Sequence, residues 1–264
     1  MPSVSNVAIG ANMAASAATK ARHGMNESIA RLSTGIRAMY GGDAAGHSAG
    51  TIATAHGKSF AQAARNVEDG ISLAQMQESV LLEIANLAQR MRELGIAFDN
   101  AGVLDANQEA ALTAEVASIG DTIESLVDNT KFNDHEILTN SATQFAIAYD
   151  HKTANTTNVG ANTAIARTDT IASADGADTS ADTILGSVAA ALGNVAADLS
   201  ALKAHQGAAS ATSANLAAAG ARLLDTDFAL ETASLTKNAI LNQAALAMTA
   251  QANQAQSAIL AVLQ

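Results

Sequence analysis

The sequence predicts a mainly α protein: a long α-helical coiled-coil core and a helical rod, with a small β-hairpin region at the middle of the chain. Three observations carry that prediction. Apolar residues recur at alternating steps of three and four over long stretches, the pattern of helices with one buried seam. Only 3% of the 264 residues are aromatic, there is one Pro and no Trp, and Ala is frequent throughout, which suits helices in close contact through small side chains. Residues 1–19 and 238–264 contain no charged side chain in a chain of formal net charge -11, so the two ends read as matched surfaces that pack side by side.

The first seam runs Val4, Ala8, Ala11, Ala15, Ala18, Arg22, Met25, Ile29, Leu32, Ile36, Met39, with Arg22 as its one break. "YGGDAAG" interrupts it, because adjacent glycines weaken a helix by roughly 1 kcal/mol each relative to Ala. A second helix is expected from about Ser59, with the seam Val80, Ile84, Leu87, Met91, Leu94, Phe98, and it stops at the turn-rich "DNAGVLDANQ". The third seam is Leu112, Val116, Ile119, Ile123, Leu126, and the short connection before it makes the second and third helices antiparallel neighbours. Over 129–150 the period changes to alternation in "QFAIAYD", which predicts a small β-hairpin. The following stretch, from His151 to Asp182, has no apolar period and reads as exposed loop. The fourth seam is the longest, Leu185, Val188, Leu192, Val195, Leu199, Leu202, Gln206, Ala209, Ser213, Leu216, Gly220, Leu223, and its later small residues imply close helix approach. The last is Leu241, Ala245, Met248, Ala252, Ala255, Ile259, Val262, with Asn242, Thr249 and Gln256 on an adjoining strip. The expected division is a coiled-coil core segment 1–40, a rod segment 41–128, a variable region 129–183, a rod segment 184–226 and a second core segment 227–264.

Composition narrows the function. Asp and Glu number 25 against 14 Lys and Arg, and no basic stripe interrupts that balance, which argues against nucleic acid and anionic membrane as partners. Without cysteine there is no disulfide and no thiolate metal site. The N-terminus lacks the basic and apolar regions of a cleaved signal, so export is expected by another route. The uncharged tail is not expected to insert in a membrane, because each of its buried amides without a partner would cost roughly 2–7 kcal/mol. No constellation for catalysis, cofactor or metal survives inspection. The six histidines form no HExxH and no helical pair, "SALK" at 200–203 is a chance-level match whose Leu202 belongs to a seam, and "GGDAAG" follows a helix rather than a strand. Asp175, Asp178 and Asp182 lack calcium-loop spacing.

The segment from "ESIARLSTGIRAMYGGDAAG" through "ARNVEDGISLAQ" and "LAQRMREL" resembles the N-terminal conserved region of bacterial flagellins, and "NLAAAGARLLDTDFALETASLTKNAILNQAALAMTAQANQ" resembles their C-terminal region. Together these blocks cover well over half the chain. The resemblance implies a subunit that polymerises into the flagellar filament, secreted and extracellular, not an enzyme and without cofactors. Its implied partners are other copies of the chain, an export chaperone, the flagellar type III apparatus, and filament cap and junction proteins. The implied subunit interface uses Val4, Ala8, Ala11, Ala15, Ala18, Met25, Ile29, Leu32, Leu241, Ala245, Met248, Ala252, Ala255, Ile259 and Val262. In some family members a patch around "QRMREL" is read by an innate immune receptor, and Gln89, Arg90, Leu94 and Glu115 match it here. Family members often carry O-linked sugars centrally, at residues such as Thr153, Thr156, Thr157, Thr168, Thr170, Ser173, Thr179 and Ser180. Two departures stand out: "AMYGGDAAG" replaces the usual "NSAKDDAAG", and the centre is very short. A hook-filament junction protein or a secreted flagellin-like ligand or adhesin is the alternative.

Overall fold

The computed structural model describes residues 2–38, 42–100, 102–138, 145–152, 155–160, 165 and 173–263. Met39, Thr153, Thr168 and Thr170 lie outside them. The fold is mainly α. Its elements in order are α1 (Pro2–Thr34), α2 (Ala44–Phe98), α3 (Ala106–Asn129), β1 (Lys131–Phe132), β2 (His135–Glu136), β3 (Phe145–Ala148), β4 (Thr156–Val159), α4 (Ala177–Leu224) and α5 (Phe228–Leu263). Two compact units result, one of Met1–Ala55 with Leu216–Gln264 and one of His56–Asn215; α2 and α4 contribute to both.

In the second unit the predicted seams form the core. Ile84, Met91 and Leu94 of α2, Val116 and Ile123 of α3, and Val188, Val195 and Leu202 of α4 are buried in one cluster. The same packing covers one side of α4, which by length and apolar composition alone is capable of crossing a membrane. α3 starts where the turn chemistry requires: the Asp105 carboxylate accepts from the Asn107 and Gln108 N–H groups, and the Gln108 side chain accepts from the Asp105 N–H.

α2 begins at Ala44, well before the expected Ser59. Asp43 supplies the start, its Oδ1 accepting from Gly46 N–H at 2.8 Å, and that bond more than the neighbouring Arg37 holds its carboxyl below the usual range. Gly50 and Gly220 are contact residues rather than helix breaks. A Cβ on Gly50 would stand 2.6 Å from Leu224 Cγ, and one on Gly220 2.5 Å from Thr54 Oγ1. Propensity alone misread this stretch because its glycines trade helix stability for close packing.

Among the described residues the central region holds two hairpins, not one. β1 and β2 pair antiparallel around Asn133 and Asp134, whose φ angles of 49° and 65° make the tight turn that favours these residue types. β3 pairs antiparallel with β4 in the register Phe145↔Val159 to Ala148↔Thr156. The segment expected to be loop therefore contributes a strand, with Val159 and Ile165 buried. Its Thr- and Asn-rich sequence hid it, since a four-residue strand carries almost no period of its own.

Within the first unit, both long connections break at one level. α1 stops at Gly35, φ 71°, whose N–H donates to Arg31 O at 2.8 Å. Ile36 forms a bridge to Asp225, Arg37 N–H donates to Leu224 O at 2.7 Å, and Thr226 N–H donates to Gly35 O at 2.9 Å. The Asp227 carboxylate then accepts from the Ala229 and Leu230 N–H groups at the start of α5.

Candidate functional site

The two uncharged ends pair as α1 against α5, and the phase of that pairing decides which side chains remain outside. Arg31 Nη2 meets Glu231 Oε1 at 2.9 Å, and this bond, chiefly, holds the Glu231 carboxyl below its ordinary range. Further along, a Cβ on Gly24 would lie 2.6 Å from Asn238 Nδ2, so the helices approach closely at this point. The side of α1 turned inward runs Ala11, Ala14, Ala18, Ala21, Met25, Ser28, Leu32, with Ala18, Ala21 and Ser28 buried. On α5 it runs Leu235, Asn238, Asn242, Ala245, Thr249, Ala252. Thr249 turns its hydroxyl onto Ala245 O at 2.8 Å, which spares it a partner on α1.

This phase differs by one residue from the predicted seams at alternate positions. Ala11, Ala18, Met25 and Leu32 face inward, whereas Ala15 and Ile29 are exposed, and so is Arg22, which removes the break it made in the seam. On α5, Ala245 is buried and Ala252 half-buried, while Leu241, Met248 and Ala255 are exposed; the strip of Asn242 and Thr249, read as an adjoining one, faces α1 instead. The side chains of Val4, Ala8, Gln256, Ile259 and Val262 lie outside the described ones. Hydrophobicity chose the larger apolar strip for the intrachain contact. Close approach chose small and short polar residues at most of these positions, with Met25, Leu32 and Leu235 among them, and left Ile29, Leu241 and Met248 outside.

The outward face is consequently apolar. Ile9, Met13 and Ile29 on α1 and Phe228, Leu230, Ile240, Leu241, Leu246 and Met248 on α5 are about half exposed or more, with Leu230 at 71% and Met13 at 69%. Spacings of eleven and seven put Leu230, Leu241 and Met248 on one strip of α5. Ile9, Asn12, Met13, Ser16, Ala17 and Lys20 line an open groove of about 440 Å3 on α1.

The receptor-like residues are placed differently from one another. Leu94 is 4% exposed and belongs to the core. Arg90 is exposed and bridges Glu115 at 2.8 Å and Glu93 at 3.2 Å, beside exposed Gln89.

Residues 5–143 match the family described as the bacterial flagellin N-terminal helical region, and residues 175–263 match the bacterial flagellin C-terminal helical region. A flagellin of Halalkalibacterium halodurans is 33% identical over 249 residues, 90% of this chain and 91% of that protein. Flagellin FlaB2 of Treponema pallidum is 28% identical over 265 residues, 91% of this chain and 92% of its own length. A flagellin of Xenorhabdus nematophila is 36% identical over 148 residues, and there the match spans 56% of this chain and 47% of the longer relative. Among solved structures, the crystal structure of Bacillus cereus flagellin aligns at 20% identity with a TM-score of 0.39, over 58% of this chain and 88% of that one.

Proposed function

The chain belongs to the bacterial flagellin family, and from that premise we propose that the outward strips of α1 and α5 are the surfaces through which its copies join. A flagellin is a structural protein, the subunit of the extracellular filament that serves motility. The observation that carries the assignment of the interface is the exposed row Leu230, Ile240, Leu241 and Met248 on a helix whose own partner in the chain contacts a different, smaller-residue strip. Covering such a row is favourable, because it removes apolar surface from water. A neighbouring subunit's α1, with Ile9 and Met13 flanking the open groove and Lys20 as its one charged residue, offers that row an apolar counterpart. Before assembly the same row on α5 is the natural target of an export chaperone, which prevents premature polymerisation on the way to the type III apparatus. Cap and junction proteins would meet the same surfaces at the filament's ends.

Seeded polymerisation followed by electron microscopy tests this reading. Truncation after Lys237 removes Ile240, Leu241 and Met248, and is expected to abolish filaments while the second unit keeps its helical signal. Filaments from the truncated chain would overturn the assignment. For the receptor patch, exposed Gln89, Arg90 and Glu115 are the contact residues and Leu94 supports them from the core. A cell reporter treated with purified monomer decides it, and no response removes the idea.

A further inference from the structure

The outward strips of α1 and α5 each carry one methionine that stands clear of the protein. Met13 is 69% exposed and Met248 is 64% exposed. Of the residues three and four positions away on the same helix, only Ile9 beside Met13 and Gln251 beside Met248 are large; the rest are Gly, Ala and Ser. Little of either helix therefore stands up around the thioether. The other methionines described are placed differently. Met91 is fully buried in the core of the second unit, Met76 is half-buried against that core, and Met25 is half-buried on the strip of α1 turned towards α5.

Exposure decides which thioethers an oxidant in solution reaches, and the product is a polar sulfoxide in place of a flexible apolar side chain. With a peroxide as oxidant, the sulfur attacks one peroxide oxygen, the O–O bond breaks and an S–O bond forms. Sulfur loses two electrons, the peroxide gains them, and water or an alcohol leaves. At Met248 the new oxygen stands in the row with Leu230 and Leu241, whose side chains offer it no hydrogen-bond donor. An apolar surface that covers this row then takes a polar group out of water without a partner, which is unfavourable. Met13 lines the open groove of α1, so the same change makes that wall polar and bulkier.

We propose that Met13 and Met248 are sites of reversible oxidation by peroxides, and that their sulfoxides keep the unassembled chain out of the filament. This rests on the reading that copies join through the outward strips, and assembly then covers both sulfurs and protects them. Hydrogen peroxide on the full unpolymerised chain, followed by peptide mass spectrometry, is expected to oxidise Met13 and Met248 about tenfold faster than Met91. The critical concentration of the oxidised chain should rise about tenfold, and two methionine sulfoxide reductases, one for each epimer, should restore it with a thiol reductant. In preformed filaments both residues should react about tenfold more slowly than in the free chain. The double variant Met13→Leu, Met248→Leu keeps both side chains apolar and should polymerise equally well before and after peroxide. Oxidation of Met91 as fast as Met13 and Met248, unchanged polymerisation of the oxidised chain, no rescue by the reductases, equal rates in filament and free chain, or an equal loss in the double variant would each overturn the proposal. Met248→Ala separates the two readings: if it impairs polymerisation and the sulfoxide does not, the oxidation switch alone fails, and if neither impairs it, the interface fails as well.

Discussion

Replacing Gly95 by Ala should destabilise the second unit, although the same change at Gly193 should stabilise it. Both glycines lie inside long helices, where Ala is favoured over Gly by about 1 kcal/mol. At Gly193 a Cβ would meet nothing within 4 Å, so the expected gain is about 0.5–1 kcal/mol. At Gly95 a Cβ would stand 2.5 Å from the backbone nitrogen of Asp178 and 3.1 Å from the carbonyl carbon of Ala177. Those atoms belong to the first turn of α4 and cannot rotate aside as a side chain does, so the turn must retreat. Overpacking of this kind costs about 1–3 kcal/mol, and after the propensity gain a net loss of about 1 kcal/mol remains. For a unit of this size that lowers Tm by about 2–4 °C, against a rise of about 1–3 °C for Gly193→Ala. Thermal unfolding of the unpolymerised chain followed by circular dichroism measures both. A Tm for Gly95→Ala at or above that of the parent chain would refute the reasoning that α4 packs against α2 through this glycine.

Met248 is 64% exposed on α5, so Met248→Ala should leave monomer Tm nearly unchanged. If a neighbouring subunit covers it, losing about 80 Å2 of apolar contact costs about 2 kcal/mol, and the critical concentration for polymerisation should rise about 30-fold; an unchanged value removes Met248 from the interface. Because Arg31 holds Glu231 below its ordinary value of 4.5, the pair contributes stability above that pH and loses it as pH falls through the lowered value. Glu231→Gln should flatten the decline of Tm between about pH 5 and pH 3, and an identical decline in both proteins would contradict the pairing. Burial pushes Asp198 up from 3.8, opposed by the Gly160 N–H that donates to it at 3.1 Å, so the folded state holds this proton more readily and Asp198 costs stability as pH rises. Asp198→Asn keeps an acceptor for Gly160 and removes the buried charge, so Tm at neutral pH should hold or rise; a clear fall would show that the carboxylate itself is needed.

The seams of α2, α3 and α4 were legible because large residues recur at core positions: Ile84, Met91, Val116, Ile123 and Val195 are both predicted and buried. The motifs at the two ends were legible for a different reason, being blocks of specific residues that need no packing argument. The N-terminal part of α2 and strand β4 were not, since glycines in a close helix contact look like breaks and a short Thr-rich strand looks like loop.

By itself, then, the amino-acid sequence determined that the chain is helical, that its two ends are uncharged partners, and that it belongs with filament subunits. Only the tertiary structure decided which strip of each end is turned inward. In so alanine-rich a sequence two adjacent strips differ little in hydrophobicity. The choice falls to distance: Gly24, Ala21 and Ser28 let α1 and α5 approach closely, which favours the strip with more small residues. Ile29, Leu241 and Met248 are left outside, where a second copy of the chain can cover them.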